Sequence, residues 1–270
     1  MKNLRNLFFG LVLVSLGLFY ACDDNGDLLL FSIQNDIDLG EQVASEIAAD
    51  PNQFPILPRT GNEEAYQYLE SMLNEILSSN DVTFRDEFPW KINIIDDDQT
   101  LNAFATPGGQ LYVYTGLIFF LDRQDDLAGV IGHEVAHSDQ RHSSKALQRQ
   151  YGISVLLQIV TGGQSELTQQ VLGSLVGVGA LKFGRDAEAE ADDFSVLYLE
   201  DTQYACDGAA AFFEKLLANE AQRQPEFLST HPSPDNRVED ITAMASEVGC
   251  STDESDPTNS EWEAFRNLLR

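Results

Sequence analysis

The chain has 270 residues, of which 43% are hydrophobic and 22% are charged, a composition typical of one globular domain with short appendages. Acidic residues outnumber basic ones by 44 to 16, and the formal net charge of −28 argues against nucleic acid as a partner, because nucleic acids bind cationic surfaces. The same charge disfavours docking of the protein surface on anionic lipid, so we interpret it as a source of solubility.

The first 21 residues have the pattern of an export signal. The cationic start MKNLR precedes an apolar stretch of fifteen residues, LFFGLVLVSLGLFYA, and the acidic run DDNGD follows Cys22. This stretch is short for a membrane-spanning helix. It resembles a bacterial lipoprotein signal peptide at residues 1–21, in which Cys22 becomes the lipidated first residue of the mature chain. An ordinary signal peptide and an anchor helix are the alternatives.

The next elements are helical. Residues 22–59 form a predicted N-terminal segment with one helix from 36 to 49, which the breaker-rich run DPNQFPILPRTG closes. A second helix is predicted from 62 to 77, with Asn62 as its N-cap, near the start of a main domain that we place at 60–248.

A small β-sheet is predicted after these helices. The alternating run WKINIID is typical of a half-exposed strand. The run NAFATPGGQLYVYTG predicts two further strands joined by a turn at Pro107, Gly108 and Gly109.

From Asp125 onward the pattern is helical almost to the end of the chain. The predicted helices lie at 125–141, 143–160, 166–181, 186–200, 207–222 and 234–247. Two segments, YGISVLLQIV and VLGSLVGVGAL, are unusually apolar but short for a membrane span, so we expect core helices rather than membrane insertion. The fold class is therefore α+β with helices dominant. Residues 249–270 form a polar C-terminal tail with a short helix in WEAFRNLL.

Two cysteines, Cys206 and Cys250, follow the predicted lipidation site. In an exported protein they can form a disulfide, because the compartment is oxidising. Two buried free thiols are the alternative, and the sequence leaves both open.

The run HEVAH at residues 133–137 carries the chemistry. His133 and His137 are four residues apart, so on a helix they lie about 40° apart on one face and converge on one metal ion. Glu134 lies beside them, where such sites use a carboxylate to accept a proton from the water that zinc activates and to pass it to the leaving amine. The apolar flanks in LAGVIGHEVAH predict a buried helix. An accidental match in a structural helical protein is the alternative, and it predicts no stoichiometric metal.

A catalytic zinc ion usually has three protein ligands, so a third must come from elsewhere. The metzincin spacing supplies none, because Gln140 and Ser143 occupy the positions of that pattern's glycine and histidine. On a continuing helix His142 would point about 180° from His133, so we expect a solvated or helix-end histidine there.

The best source of a third ligand is the run GRDAEAEADDFS. Glu188 and Asp192 are four residues apart and share one helix face, whereas Glu190 points roughly opposite to Glu188. This geometry suggests that Glu188 binds zinc and that Asp192 accepts the free N–H of a ligand histidine. By spacing alone, an acidic helix face explains these residues equally well.

Four blocks resemble, in order, the gluzincin-type zinc metallopeptidase family that includes the CAAX prenyl endopeptidase, HtpX and BepA. They are NAFATPGGQLYVYTGLI, GVIGHEVAH, RDAEAEAD and THPSPDNRVED, and together they cover roughly residues 60 to 245. The resemblance implies a zincin-like metalloprotease domain with one zinc ion per chain, Glu188 as the third ligand and Asp192 as the partner behind the ligands. Since we expect neither multiple transmembrane helices nor tetratricopeptide-like repeats, the chain is similar to the compact, exported members, and prenyl substrates are not implied.

The resemblance also implies a substrate-binding strand. In the family the first block forms an edge strand beside the catalytic cleft, so the substrate backbone should be held by strand addition. The candidate residues are Asn102, Ala103, Phe104 and Ala105 or, alternatively, those from Leu111 to Tyr114. A purely structural hairpin would use the same residues.

The fourth block places His231 near the metal. Related proteins use this histidine to stabilise the transition state or to occupy the open zinc position in a latent form. A surface-loop histidine before Pro232 is the alternative. Arg237 is expected to orient the same loop by pairing with a carboxylate.

We therefore expect an exported zinc metalloendopeptidase, anchored to the membrane by a lipid on Cys22, in the periplasm or at the outer membrane. By resemblance, its substrates are unfolded, misfolded or misassembled envelope proteins, and Glu134 is the general base. The alternative is an envelope chaperone or assembly factor that retains a latent protease fold, with His231 holding the site closed. The sequence does not specify the oligomeric state.

Overall fold

A computed structural model describes residues 29–163, 165–176, 182–218, 227–231, 236–253, 255–256 and 258–270. The predicted signal peptide and Cys22 lie outside the described residues, as do 177–181, 219–222 and 234–235 at the ends of three predicted helices. Among the helices that are described, none combines the length and the apolar character that a bilayer crossing requires.

The described part of the chain is mainly helical and contains one small sheet. The helices are α1 (Ile33–Ala49), α2 (Glu63–Leu77), α3 (Thr115–Phe120), α4 (Gln124–Asp139), α5 (His142–Tyr151), α6 (Ile153–Val160), α7 (Glu166–Val176), α8 (Arg185–Leu199), α9 (Gly208–Ala218), α10 (Phe227–Thr230), α11 (Arg237–Val248) and α12 (Ser260–Leu268). The strands are β1 (Lys91–Ile95), β2 (Ala103–Thr106) and β3 (Gln110–Tyr114). The α+β fold class is confirmed.

Local sequence accounts for most element boundaries. The helix predicted from 143 to 160 is divided into α5 and α6 at Gly152, whose φ of 80° is incompatible with a continuous right-handed helix. Asn62 is the N-cap residue of α2, although its side chain donates to the Pro58 carbonyl, at 2.8 Å, rather than capping the helix. The short helices α3 and α10 have no predicted counterpart.

The sheet has the strand order β1-β3-β2, with β1 parallel and β2 antiparallel to β3. A turn with positive φ at Gly108 and Gly109 joins β2 to β3, as predicted. Because β3 is paired on both sides, its backbone is not available to a substrate strand, and the alternative that placed the substrate on Leu111 to Tyr114 is wrong. The sheet edge that packs near α4 belongs to β2.

Helix α4, which carries HEVAH, is buried along its whole length, with α8 and α9 packed against it. The backbones of α4 and α9 approach so closely that a Cβ atom on Gly129 would lie 2.1 Å from the Ala209 nitrogen. A Cβ atom on Gly208 would lie 2.1 Å from the Asp125 carbonyl oxygen. Glycine at both positions permits this contact, which fixes the helix at the centre of the domain.

The last turn of α4 is tied to its surroundings by side-chain hydrogen bonds. The Ser138 hydroxyl accepts from the Gly109 N–H at 2.9 Å and donates to the Thr106 carbonyl at 3.2 Å. The Asp139 carboxylate accepts from the Tyr198 hydroxyl at 2.7 Å. These bonds connect α4 to the β2–β3 turn and to α8, so they set the distance between the edge strand and the motif.

The two apolar helical segments each bury one face. Leu156 and Ile159 of α6 and Val171 of α7 are fully buried and pack in one cluster with α1. Leu157 and Leu167 on the same helices are 40% and 44% exposed. Helices α6 and α7 are therefore amphipathic, with one side facing the core.

The C-terminal tail returns to the core. Trp262 and Phe265 of α12 are fully buried, and the Phe265 ring stacks on Tyr68 at 4.2 Å. Cys206 and Cys250 form a disulfide, which decides between the two alternatives left by the sequence. Residues 249–270 thus contribute to the packing of the domain, whose boundaries at 60 and 248 stay a prediction.

Candidate metal centre

Helices α4 and α8 bring the donor groups of three side chains together. The Nε2 atoms of His133 and His137 are 2.9 Å apart, and Glu188 oxygens lie 3.6 Å from the first and 3.5 Å from the second. Ligands about 2.05 Å from a tetrahedral zinc ion are separated by roughly 3.3 Å, so this triangle has the size of a zinc site. All three side chains are at most 1% exposed. The structure therefore brings together the three residues predicted as ligands.

The protonation states of these side chains suit a metal. Burial, reinforced by Arg237, lowers the pKa of His133 to about 4, and burial with the neighbouring His133 holds the pKa of His137 well below its usual range. Burial would raise the pKa of Glu188, but His231 and His133 outweigh it and the net shift is downward. Two neutral imidazoles and one carboxylate are a donor set that zinc prefers.

Two buried carboxylate oxygens have the surroundings of metal or water ligands. Oε2 of Glu188 and Oε1 of Glu134 are buried and have no hydrogen-bond partner among the described residues. Nη1 of Arg237 lies 3.1 Å from Glu188 Oε2, but the two atoms are not aligned for a hydrogen bond. Buried carboxylate oxygens are normally paired, so these free lone pairs fit a zinc ion and its water.

Asp192 holds the outer nitrogen of His133, as the sequence predicted. The His133 Nδ1 atom lies 2.9 Å from Asp192 Oδ1, which leaves Nε2 as the unprotonated nitrogen that faces the donor cluster. Asp192 in turn accepts from Nε and Nη2 of Arg237 at 2.6 and 2.7 Å. The Arg237 guanidinium also lies 3.9 Å from the centre of the Phe213 ring. The expected pairing of Arg237 with a carboxylate is present in the structure.

Glu134 lies between the donor cluster and the edge strand. Burial raises the pKa of its carboxyl group to about 7, although the nearby His231 opposes the shift. The backbone N–H of Ala105 donates to the Glu134 carboxylate. A carboxyl group with a pKa near neutral is suited to accept a proton and release it again.

One side of β2 has no partner strand among the described residues. The Tyr114 N–H donates to the Asn102 carbonyl at 3.1 Å, and the strand register then leaves the backbone groups of Ala103 and Ala105 pointing away from β3. The Asn102 side chain is buried, and its Oδ1 atom has no hydrogen-bond partner in the described chain. The Phe104 ring stacks on Tyr112 at 4.8 Å, so it supports the strand rather than the cleft.

His231 occupies the fourth corner of the cluster. Its Nδ1 atom lies 3.0 Å from Glu188 Oε1 and 3.4 Å from His133 Nε2, and its Nε2 atom lies 3.4 Å from Glu134 Oε1. Burial would lower the pKa of His231, but Glu134 and Glu188 outweigh it and raise the pKa above its ordinary value. The ring is 1% exposed, so the alternative of a surface-loop histidine is wrong. Pro232 lies outside the described residues.

The position of His231 depends on a contact that is distant in sequence. The Phe227 N–H donates to the Leu101 carbonyl at 3.2 Å, and the His231 N–H donates to the Phe227 carbonyl at 2.8 Å. The Phe227 ring also stacks on the imidazole of His231 at 4.4 Å. The segment that carries His231 is therefore docked on the residue that leads into the edge strand.

His142 corrects the sequence interpretation. It is buried rather than solvated, and its Nδ1 atom lies 2.9 Å from His137 Nδ1. The helix does not continue to His142, because Arg141 adopts the left-handed conformation, with φ of 59°, and α5 begins anew. Glu190, which the helix-face argument set apart from the site, lies 3.0 Å from His142 Nε2. The spacing of residues within HEVAH does not predict that His142 or Glu190 lies beside the site.

Comparison with known proteins gives one family. The sequence profile of peptidase family M48 matches residues 63–245, which is more than half of the chain. The mitochondrial metalloendopeptidase OMA1 of Schizosaccharomyces pombe is 28% identical over 204 residues, which are 74% of this chain and 59% of the relative. The beta-barrel assembly-enhancing protease of Escherichia coli is 30% identical over 197 residues, covering 67% of this chain and 39% of the relative. Metalloprotease YcaL of Escherichia coli is 30% identical over 145 residues, which are 52% of this chain and 57% of that protein.

Proposed function

The chain belongs to peptidase family M48, and from this premise we propose that it is a zinc metalloendopeptidase that hydrolyses peptide bonds in unfolded or misassembled polypeptides. The observation that carries the proposal is the triangle of His133, His137 and Glu188 donor atoms, with an unpartnered oxygen of Glu134 beside it. The chain spans 59% and 39% of the lengths of the OMA1 and beta-barrel assembly-enhancing relatives named above, so activity, substrates and partners are proposed here for this chain itself.

The proposed roles follow from the positions of the side chains. When bound by His133, His137 and Glu188, zinc polarises the scissile carbonyl and lowers the pKa of water. Glu134 takes the proton of the attacking water and transfers it to the leaving amine, and its buried position beside the donor cluster suits both transfers. His231, whose Nε2 atom faces Glu134, then lies where it stabilises developing negative charge.

The proposed substrate is an extended backbone. A peptide that pairs with the outer side of β2 would bond to the N–H and C=O groups of Ala103 and to the C=O group of Ala105, which point away from β3. The Ala105 N–H contacts Glu134, so pairing at this strand places a peptide beside the general base. Recognition through backbone groups requires an unfolded segment and gives weak sequence preference.

We further propose that the protein works in the bacterial envelope, exported and held by a lipid on Cys22 in the periplasm or at the outer membrane. The disulfide between Cys206 and Cys250 supports export, because such bonds persist in oxidising compartments. One relative is named a beta-barrel assembly-enhancing protease, which supports misassembled envelope proteins as substrates.

A second candidate function rests on His231. His231 supplies one of four candidate ligand atoms that lie within 4.8 Å of one another, so this histidine can fill the position that a substrate needs. In that state the protein would be latent, and its role in the cell would be that of an envelope chaperone or assembly factor. Removal of the imidazole distinguishes the two functions: His231→Ala activates a latent enzyme and impairs one that uses His231 in catalysis.

The proposal is tested with purified mature protein and unfolded casein as substrate. We expect cleavage that a chelator abolishes and zinc restores, and at least a 100-fold loss of rate in Glu134→Gln, since general-base catalysis contributes about 10² to 10⁴ in rate. Glu46→Gln, on the exposed face of α1, is the matched control and should leave the rate unchanged. The same pair is made in the His231→Ala background to remove latency. Equal rates for Glu134→Gln and its parent in both backgrounds would refute the proposed peptidase activity.

A further inference from the structure

The two candidate ligand histidines are supported differently. His133 donates directly to the carboxylate of Asp192, whereas the outer nitrogen of His137 meets a third imidazole. His137 Nδ1 lies 2.9 Å from His142 Nδ1, and His142 Nε2 lies 3.0 Å from Glu190 Oε2. The side chains of His137, His142 and Glu190 thus form a hydrogen-bonded series that runs from the donor cluster to α8.

With Glu190 ionised and His142 neutral, one arrangement of protons satisfies both the His137–His142 and the His142–Glu190 contacts. An ionised carboxylate only accepts hydrogen bonds, so Glu190 requires a proton on His142 Nε2. A neutral His142 then presents a lone pair at Nδ1, and His137 must donate from its own Nδ1. The Nε2 atom of His137 is consequently unprotonated, and it is this atom that lies 2.9 Å from His133 Nε2 in the donor triangle.

We propose that His142 and Glu190 are positioning residues that fix His137 in the tautomer whose Nε2 atom binds zinc. The inference rests on the proposed metal site and adds two residues to it. In the opposite tautomer a proton on Nε2 would face the other ligands, and His137 would not bind a cation.

The surroundings hold His142 in place. Arg141, in the left-handed conformation, turns the chain so that the next residue points back toward α4. The Arg141 guanidinium is fixed by Asp36 of α1, with Nε 2.5 Å from Oδ2, and by the Phe31 carbonyl. Phe183 stacks on the His137 ring at 4.0 Å and limits its rotation. The position of His142 is thus set by the left-handed turn at Arg141 and by the contact of Arg141 with α1.

The two supports should differ in strength. Asp192 is almost fully buried and is locked by Arg237, whereas the Glu190 side chain is 28% exposed. Water can take over part of the hydrogen bonding that Glu190 provides, but water cannot replace the Nδ1 acceptor of the buried His142. Loss of a partner of this kind typically costs about 10- to 100-fold in metal affinity, so we expect the full effect at His142 and a smaller one at Glu190.

The test is zinc affinity, measured by chelator competition on the purified mature chain with casein activity left aside. His142→Leu should weaken zinc binding by about 10- to 100-fold, and Glu190→Gln by less. His142→Asn places an amide oxygen near the position of Nδ1 and should restore most of the affinity. Glu200→Gln, exposed at the end of α8, is the control and should bind as wild type does. The d–d spectrum of the cobalt-substituted protein should change in His142→Leu and return in His142→Asn.

Wild-type affinity in His142→Leu would overturn the proposal, and equal weakness of His142→Asn and His142→Leu would reduce His142 to a packing residue. If His142→Leu does not fold, Glu190→Gln and Glu190→Ala decide, because the partly exposed side chain can be changed without opening the core. Absence of zinc from the wild-type protein would instead refute the metal site itself, so the two failures are distinguishable.

Discussion

Replacement of Arg237 by leucine should destabilise the protein strongly. Arg237 is 2% exposed and donates to Asp192 twice, at 2.6 and 2.7 Å. The substitution leaves the buried Asp192 carboxylate with His133 as its remaining partner among the described residues. The guanidinium also lies 3.1 Å from Glu188 Oε2 and 3.1 Å from His133 Nε2, so the substitution affects two candidate ligands as well as Asp192.

The magnitude follows from these contacts. Hydrogen bonds to charged groups contribute about 1.5 to 3 kcal/mol each, so the two bonds predict a loss of about 3 to 6 kcal/mol. Breaking a buried ion pair by removing one partner typically costs about 3 to 5 kcal/mol, which agrees. We therefore expect Arg237→Leu to lower the free energy of unfolding of the metal-free protein by about 4 kcal/mol.

The assay is urea unfolding of the chelator-treated protein, arranged as a double-mutant cycle with Asp192→Asn. The double variant should be less destabilised than the sum of the single variants by about 1 to 3 kcal/mol, because the second change removes the charge that the first leaves unpaired. Arg59→Leu is the matched control. Its ion pair with Glu70 is as short, at 2.6 Å, but the side chains are 55% and 40% exposed, so it should cost less than about 1 kcal/mol. Similar losses for Arg237→Leu and Arg59→Leu, or strict additivity in the cycle, would refute the reasoning.

Two further predictions concern stability and pH. Because the Cys206–Cys250 disulfide closes a loop with a sequence separation of 44 residues, replacing both cysteines by alanine should lower the unfolding free energy by up to about 4 kcal/mol, measured in urea; no change would exclude a stabilising role. The pKa of Glu134 is raised from 4.5 to about 7, so the folded state binds its proton more tightly than the unfolded state does. The stability of the metal-free protein should therefore fall by up to about 3 kcal/mol as the pH rises from about 4.5 to 7, and Glu134→Gln should abolish that part of the slope; an identical slope in wild type and variant would contradict the shift.

Much of the site was predictable because its spacing is local. HEVAH and the run with Glu188 and Asp192 each lie on one helix, where residues four apart share a face. The resemblance to the family predicts that these two helices contribute ligands to the same zinc ion. The predicted family, fold class and zinc cofactor are confirmed at the level of the family, whereas the role of each residue stays a proposal.

The remainder depends on contacts that a single segment does not encode. His142 faces His137 because Arg141 takes a left-handed conformation that non-glycine residues seldom adopt, and its partner Asp36 is 105 residues away. Local pattern also left open which strand forms the edge, since that depends on β1 pairing with β3. Trp262 of α12, in the polar tail, is buried, and the sequence did not predict that this helix packs on the core.

Elemental analysis of the purified mature protein tests the central claim most directly. The account predicts one zinc ion per chain, retained in Glu134→Gln and lost on dialysis in His137→Ala and Glu188→Ala. Glu46→Gln, on the exposed face of α1, should retain the ion. A wild-type chain without stoichiometric zinc, or Glu188→Ala that holds the ion as firmly as wild type, would contradict the assignment of His133, His137 and Glu188 as the metal ligands.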